Sequence, residues 1–485
     1  MTHVPFYKLL NAVTAAIASY SDRLFEGVST EAPVIVAVSG GSDSMALLQF
    51  AHVWAQKHGA DLHAVTIDHG LRPEAAAEAA FVAGVCAGMG VPHLTLAWDG
   101  AKPAFGIQEA ARLSRYALLD DFAQDIGAAT VLTGHTRDDQ AETIFMRAIR
   151  SSEKGVHEGD GRGLAGMARV TTLMSGTSII RPLLDLGRQN LRAMLADAGQ
   201  AWIEDPSNFD ETYERVRVRR MLEKDGELLE RLLRLGGLSA RLRRCQAEDA
   251  ARYLKEHAAV EPGPVFRLAL PAEEKLPAHP VFELAVQVMI AVAGGQSHLL
   301  ARRRLKPVRE MIAGFKTIRP GGKDPSVTLG GAVIGCRAKA EKGAKPHRSA
   351  SHLVFVRERR NLGSLLLEPG EAALWDGRLQ ITNGTTATIF IEPAGRQQIA
   401  EYEAARGGRY KVALRRALLS TPVVHTQETD HALPRLPLVE SGNLPRGLEV
   451  RLAPVAIEHF CPETDIALKD WVRSLDSHAS ASLQP

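Results

Sequence analysis

The chain has 485 residues, of which 45% are hydrophobic and 24% are charged, with a formal net charge of +2. This composition is typical of a soluble globular protein, and the length suggests roughly two to four domains. No segment has about 18 consecutive apolar residues, which excludes a membrane-spanning helix. The four cysteines lie far apart without a CxxC pair, which excludes a zinc knuckle and a thiol-held cluster. The N-terminus lacks the layout of a signal peptide, so we expect a cytoplasmic protein.

Strands and helices are predicted to alternate from residue 34 to about residue 182. The first strand, VIVAV, is β-branched and apolar, as in a strand buried on both faces of a parallel sheet. The alternation predicts an α/β fold, a doubly wound parallel sheet with helices on both faces. Ligands of such sheets bind beyond the carboxyl ends of the strands. The predicted strands are 34–38, 61–67, 92–97, 129–133 and 177–181, and the predicted helices are 43–58, 74–89, 107–126, 137–150 and 187–199.

A polar hexapeptide occupies the turn between the first strand and the first helix. It consists of Ser39, Gly40, Gly41, Ser42, Asp43 and Ser44. Glycines allow close approach of a ligand, and the amide groups and dipole of a helix N-terminus favour an anion such as phosphate or pyrophosphate. The lysine of a Walker loop is absent, and the carboxylate of Asp43 beside phosphates indicates Mg²⁺. The alternative is an ordinary serine-capped helix after a Gly-Gly turn.

Two further polar clusters follow the second and fourth strands. Asp68 and His69 begin the first of these, DHGLRP, and the second is GHTRDDQAET at 134–143. A single histidine or aspartate after a strand is usually a cap or turn residue. Because three polar clusters fall at the same edge of the predicted sheet, we expect them to form one ligand site.

In the rest of the chain, the sequence pattern that indicates secondary structure changes twice. Helical periodicity dominates 216–315, and short strands with glycine turns follow from about 321. We therefore predict a catalytic domain at 1–215, a helical domain at 216–320 and a mixed α+β domain at 321–485. Basic runs at 213–224, 241–244, 302–309 and 406–416 are either solvated helix faces or contacts to a polyanion.

Several motifs in residues 34–220 resemble the tRNA(Ile)-lysidine synthetase family, which belongs to the PP-loop N-type ATP pyrophosphatases. The hexapeptide matches the PP-loop of that superfamily, and the other motifs recur in the same order as in the family. They are DHGLR at 68–72, EAAR at 109–112 with Arg115-Tyr116, GHTRDDQAET at 134–143, GLAGM at 163–167, RPLL at 181–184 and EDPSN at 204–208.

The resemblance implies a ligase that joins lysine to C2 of the first anticodon cytidine of an isoleucine tRNA with a CAU anticodon. ATP would first adenylate the cytidine with release of pyrophosphate, and the lysine amine would then displace AMP. It implies ATP binding by Ser39, Gly40, Gly41, Ser42, Asp43, Ser44, Asp68 and His69, and Mg²⁺ binding by Asp43 and Asp139. The implied catalytic residues are Asp43, Arg112, Arg115, His135 and Asp139.

The roles of these residues remain open at this point. His135 would contact a phosphate or stabilise the transition state, and Asp139 would bind Mg²⁺ or position the lysine ammonium. Arg112 or Arg115 would clamp the α-phosphate or the base. There are three alternative functions. The first is a PP-loop tRNA thiolase, which the absence of CxxC disfavours. The others are an amidotransferase-coupled synthetase and a non-catalytic ATP- or RNA-binding module. A homodimer is left open beside a monomer.

Overall fold

The structure is a computed structural model. It describes residues 20–481 except 72, 101, 104, 154–161, 174, 206–209, 262–264, 271–278, 316–323, 339–349, 406–411, 427–445 and 454–460. The described residues form two compact units. The first contains those up to Arg241 together with Cys461–Glu463, and the second contains the others from Leu242 onward. Within the described part of the chain, no helix has the length and apolar character that crossing a membrane requires.

The first unit is built on a seven-stranded sheet with a parallel centre. In spatial order the parallel strands are β3, β2, β1, β4 and β6; β5 pairs antiparallel with β6, and the short strand Cys461–Pro462 pairs antiparallel with β5. The strands are β1 (Val34–Ala37), β2 (Leu62–Asp68), β3 (His93–Ala97), β4 (Thr130–Thr133), β5 (Val170–Thr172) and β6 (Ser178–Ile180).

Helices cover both faces of this sheet. The helices of this unit are α1 (Ser42–His58), α2 (Ala75–Met89), α3 (Ile107–Ile126), α4 (Arg137–Glu153), α5 (Arg188–Asp197), α6 (Glu214–Lys224) and α7 (Gly226–His257), which begins in this unit. Of these, α6 and the start of α7 pack on α4. Alternate residues of β1 point to opposite faces, so Val34 and Val36 pack in one core with α1, α2 and α5. Ile35 packs in a second core with Leu119 and Ala123 of α3. The predicted doubly wound α/β fold is confirmed.

The order of the strands defines where a ligand is expected. The chain adds strands outward from β1 through β2 and β3, and then returns to the other side of β1 with β4. Val34 is aligned with Leu62 of β2 on one side and with Thr130 of β4 on the other. The loops after β1 and β4 therefore diverge and open a crevice at the carboxyl edge of the sheet, which is the usual ligand position in such folds.

The second unit begins with an antiparallel five-stranded sheet and a buried helix. In spatial order its strands are β7 (Ala258–Glu261), β8 (Val265–Ala269), β11 (Ala350–Arg357), β10 (Ala332–Ala338) and β9 (Ser326–Leu329). The helices are α8 (Pro280–Gly294), which is buried from Phe282 to its end, and α9 (Lys306–Gly314). A Cβ at Gly294 would lie 1.9 Å from the carbonyl oxygen of Gly330, so only glycine fits at this crossing.

Two three-stranded sheets and three helices complete the second unit. The strands are β12 (Leu365–Leu367), β13 (Ala372–Trp375), β14 (Leu379–Asn383), β15 (Ile389–Pro393), β16 (Pro422–Thr426) and β17 (Leu448–Leu452), arranged as β12-β15-β16 and β13-β14-β17. The helices are α10 (Arg396–Ala405), α11 (Val412–Leu418) and α12 (Ile466–Ala481). The β-rich C-terminal part is confirmed. The domain boundaries at 215 and 320 stay a prediction; the segment between them also contributes β7 and β8 to the five-stranded sheet.

Candidate functional site

The polar hexapeptide joins β1 to the N-terminus of α1. Gly40 has φ +85°, a left-handed backbone conformation that favours glycine, and Cδ1 of Ile203 packs close to its Cα. Ser39 donates its amide to Oγ of Ser44 at 3.1 Å, and Ser44 Oγ donates to the carbonyl of Gly41 at 3.0 Å. These bonds hold the loop in shape. The first amide groups of an α-helix have no acceptor within the helix, and those of α1 lie at the carboxyl edge of the sheet, where helices of this kind can bind anions.

Asp43 lies in the first turn of α1 and is bound by an arginine from a distant helix. Arg188, the first residue of α5, donates Nε to Oδ2 of Asp43 at 3.0 Å. Ser42 Oγ lies 3.3 Å from Oδ1. Burial raises the pKa of Asp43 more than the Arg188 guanidinium lowers it, and nearby Asp139 raises it further. The carboxylate is therefore held at an energetic cost that a bound cation would reduce.

Asp139 lies in the first turn of α4, and its two oxygens accept four hydrogen bonds. Oδ2 accepts from the amide and the hydroxyl of Thr136, both at 2.8 Å, so the two residues cap the start of the helix. Oδ1 accepts from Nη2 of Arg188 at 3.0 Å and from Nη2 of Arg215 at 2.8 Å. Burial alone would raise the pKa of Asp139, but Arg215 and Arg188 outweigh it and lower the pKa to about 2.

Glu142, one turn further along α4, completes what we call the arginine–carboxylate cluster. Its side chain is 1% exposed and accepts from Nε of Arg215 at 2.6 Å and Nε of Arg219 at 2.8 Å. Arg188 Nη1 lies 3.6 Å from it, so Arg188 contacts all three carboxylates of the cluster. Burial lowers the pKa of Arg188, but the three carboxylates raise it above its ordinary value. The cluster comprises Asp43, Asp139, Glu142, Arg188, Arg215 and Arg219.

His135 follows β4 and is held as a neutral imidazole. Its Nδ1 lies 3.2 Å from the hydroxyl of Thr133. Burial, together with the positive charge of Arg181, lowers the pKa of His135 to about 3. Arg181 is buried, and its bonds to described residues run to neutral groups, namely the carbonyl of Ala168, the hydroxyl of Thr171 and the hydroxyl of Tyr116. His135 thus offers hydrogen bonds at neutral pH without adding positive charge.

The ends of β2 and β3 carry a second set of polar and aromatic side chains. Asp68 accepts the amide of Gly70 at 2.8 Å, which shapes the turn after β2. His69 Nε2 lies 3.5 Å from Nη2 of Arg115 on α3, and its ring meets the ring of Trp98 edge-on, with centroids 5.9 Å apart. The burial of His69 and the nearby charge of Arg115 lower the pKa of this histidine. Arg115 therefore lies at the carboxyl edge of the sheet.

The structure joins the sequence-predicted residues into two groups. Asp43 and Asp139 are joined by Arg188, while His69 and Arg115 contact each other at the end of β2. Arg112, one turn before Arg115 on α3, lies with its guanidinium carbon 5.3 Å from the ring centre of Tyr116. Sequence reasoning missed the roles of Glu142, Arg188, Arg215 and Arg219. Glu142 stood in a recognised motif and Arg215 and Arg219 in the basic run 213–224, whereas Arg188 had no signal beyond its place in a predicted helix.

The carboxylates differ in how well they fit a magnesium ion. Among the described residues, no three histidine, cysteine, aspartate or glutamate side chains form a metal cluster. Mg²⁺ in nucleotide sites is usually held by one or two carboxylates together with phosphates and water. A carboxylate has about four acceptor positions; Asp43 uses two and Asp139 uses four. Asp43 fits as a ligand beside bound phosphates, and Asp139 fits only if an arginine leaves it.

Comparisons with known proteins identify the family of the chain. The PP-loop domain family matches residues 13–225. The tRNA(Ile)-lysidine synthase of Brucella suis biovar 1 is 35% identical over 465 residues, covering 94% of this chain and 97% of that protein. The tRNA(Ile)-lysidine synthase of Brucella melitensis biotype 1 is 35% identical over 476 residues with the same coverage. The solved U34-tRNA thiolase NcsA from Methanococcus maripaludis is 14% identical with a TM-score of 0.37, too low to support an argument.

Proposed function

Since the chain belongs to the tRNA(Ile)-lysidine synthase family, we propose that it ligates lysine to the first anticodon cytidine of an isoleucine tRNA bearing a CAU anticodon. The observation that carries the proposal is the PP-loop beside the arginine–carboxylate cluster, at the point where the strand order of the sheet reverses. In the first step, O2 of the cytosine attacks the α-phosphorus of ATP and pyrophosphate leaves. In the second, the lysine amine attacks C2, the bond from C2 to the oxygen breaks, and AMP leaves as the amine loses a proton.

The PP-loop supports the first step. The amide groups at the start of α1 and the hydroxyl of Ser42 face the position where pyrophosphate would gain negative charge. Arg192 Nε lies 3.3 Å from Oγ of Ser42, which adds a cation to this end of the loop. A bound Mg²⁺ would neutralise phosphate charge, and Asp43 is the residue that would hold it. The assignment of Asp139 as a second metal ligand remains a prediction.

His135 and Arg115 support the transferring phosphate. The neutral imidazole of His135 would donate a hydrogen bond to the bound nucleotide or accept one from it. Because it carries no positive charge, it would not repel a Mg²⁺ bound nearby. Arg115 contacts His69 at the edge of the sheet, whereas Arg112 stacks against Tyr116. This difference favours Arg115 over Arg112 as the clamp on the α-phosphate.

The arginine–carboxylate cluster supports the lysine step. Lysine carries both an ammonium group and a carboxylate, and the cluster offers partners of both signs beside the PP-loop. The side chain of Arg215 is 45% exposed, against 12% for Arg188 and 19% for Arg219, so it is the arginine best placed to meet the lysine carboxylate. Asp139 would then exchange part of its bonding to Arg215 for the lysine ammonium. The anticodon base can reach the crevice because loop bases can be splayed from their stack.

The test is the transfer of labelled lysine to an isoleucine tRNA with a CAU anticodon, in the presence of ATP and Mg²⁺. The matched control is the same tRNA with its first anticodon cytidine replaced by uridine. Incorporation into the first tRNA only is the expected result. Incorporation of lysine into both tRNAs would show that the first anticodon cytidine is not the modified base. Pyrophosphate release without lysine transfer would indicate another nucleophile.

A further inference from the structure

Phe105 is the most exposed large apolar side chain among the described residues. It is 92% exposed, and the next in order, Leu238, is 62% exposed. Single exposed leucines are common on protein surfaces, but an aromatic ring left almost wholly in water is less so. Phe105 lies in the loop between β3 and α3, which leaves the sheet at the same edge as the PP-loop.

The loop is anchored at the carboxyl ends of β2 and β3. These parallel strands end level with each other, with Asp68 aligned to Ala97. Trp98 follows directly, with the ring of His69 against its edge and the Lys102 ammonium 4.0 Å from its ring centre. The side chain of Lys102 also donates to the carbonyl of Trp98. The base of the loop is therefore held by aromatic and cationic contacts beside the site.

The first turns of α3 are not buried in the core. The buried residues of α3 begin at Tyr116, so the segment from Ile107 to Arg115 precedes the part that packs on the core. Arg115 contacts His69 at the sheet edge, and Ile107 lies about 12 Å from it along the helix axis. Phe105 lies two residues before Ile107, so it is separated along the chain from the contact between Arg115 and His69 by the exposed start of α3.

We propose that Phe105 is a stacking platform for an anticodon-loop base next to the cytidine that reacts. The inference rests on the proposed function, because it requires a tRNA loop in the crevice. A base drawn out of the loop leaves its neighbours without a stacking partner, and exposed aromatic rings are the usual replacement in single-strand recognition. The segment 98–115 has three cations, Lys102, Arg112 and Arg115, against two carboxylates, Asp99 and Glu109. Charge attraction there is modest, so stacking supplies most of the contact.

The experiment compares Phe105→Ala, Phe105→Leu and Phe105→Trp in the full chain, with Leu238→Ala as the control for loss of an exposed apolar side chain. The probe is the anticodon stem-loop of the isoleucine tRNA. Phe105→Ala should weaken stem-loop binding roughly 5- to 150-fold, the range of one base stacked on an aromatic ring. Phe105→Trp should retain binding, and Phe105→Leu should lose most of it because leucine has no π-face. ATP binding should be the same in all four variants.

A second arm identifies the contact as base stacking. Each nucleotide flanking the target cytidine is replaced in turn by an abasic residue, and binding is measured with wild type and Phe105→Ala. At one flanking position the two changes should be strongly non-additive, since each removes the same contact. Additive losses at every position, or unchanged binding by Phe105→Ala, would overturn the proposal. Failure of the wild type to modify the tRNA would instead overturn the proposed function.

Discussion

Two groups of arginines and carboxylates, one in each compact unit, differ in charge balance and in access. The arginine–carboxylate cluster of the first unit has three carboxylates and three guanidinium groups, and the side chain of one of them, Arg215, is 45% exposed. In the second unit, Arg357 and Arg378 share the single carboxylate of Asp376, and all three side chains are at most 8% exposed. Arginine–carboxylate ion pairs are thus partly accessible to solvent in the first unit, which we call the open cluster, and buried in the second, which we call the closed group.

The closed group ties backbone segments together. Arg357 donates to both oxygens of Asp376, at 2.9 and 2.8 Å, and Nη1 of Arg357 donates to the carbonyl of Gly331 at 3.1 Å. Arg378 Nη2 donates to the carbonyl of Ser420 at 2.7 Å. Burial lowers the pKa of Arg378 to about 10, although Asp376 opposes the shift. Besides Asp376, the two arginines of the closed group bind backbone carbonyls, those of Gly331 and Ser420, as is typical of a structural contact. The open cluster bonds mainly side chain to side chain.

The largest expected effect is the loss of adenylation in Asp43→Asn. This substitution keeps the shape of the side chain but removes the carboxylate that would hold Mg²⁺, so tRNA-dependent pyrophosphate release should fall roughly 10³-fold or more. Arg188 keeps Asp139 and Glu142 as partners, so the melting temperature should stay close to that of wild type. Turnover within about tenfold of wild type would remove Asp43 from the mechanism.

The next effect is on stability and lies in the closed group. Asp376→Asn leaves two buried arginines without a carboxylate, which should lower the free energy of unfolding by about 3–5 kcal/mol. Asp376 has φ +54°, a conformation that asparagine tolerates, so the backbone is not the cause. Asp139→Asn is the matched variant: its arginines keep other carboxylates, so it should cost less stability but abolish lysine transfer. Equal destabilisation by the two variants in thermal unfolding would break the comparison.

A smaller effect concerns the pH dependence that His135 introduces beside the open cluster. Its pKa of about 3 in the folded chain lies below the ordinary value of 6.5. Above pH 6.5 the residue is neutral in both states. As the pH falls, the unfolded chain binds a proton that the folded chain does not, so stability is lost at about 1.4 kcal/mol per pH unit. Between pH 6.5 and 5, wild type should lose roughly 2 kcal/mol relative to His135→Asn. Parallel melting curves of the two proteins across this range would contradict it.

The smallest effect is expected at an ion pair exposed to solvent. Arg231 and Glu227 lie one turn apart on α7, and their side chains are 66% and 73% exposed. Nη2 of Arg231 lies 2.5 Å from Oε1 of Glu227. Exposed pairs are screened by water and contribute about 0–1 kcal/mol. Glu227→Gln should therefore change the melting temperature by less than about 2 °C and leave lysine transfer unchanged. A larger change in melting temperature would mean that burial does not determine how much an ion pair of this protein contributes to stability.

Much of the first unit was predictable from local patterns. The five parallel strands and their helices were predicted within a few residues, because buried β-branched runs and helical periodicity are local signals. The PP-loop and the clusters after β2 and β4 were found for the same reason. Helix α4 ends at Glu153, beyond the predicted end at 150, as helix ends are weakly encoded. The segment 216–320 is predicted to be helical, and its two short strands were missed: β8 pairs with β11 far along the chain, and β7 joins the sheet by pairing with β8.

The sequence by itself therefore determined the type of sheet, the loop that would bind phosphate and the family to which the chain belongs. Tertiary structure decided which charges meet. Arg188 is 145 residues from Asp43, and Arg215 is 76 residues from Asp139, so no local pattern could pair them. Packing of α5 in the core with α1, and of α6 on α4, brings these helices to the carboxyl edge, where burial makes each carboxylate require a partner. Local patterns place residues at an edge, and only packing assigns their partners.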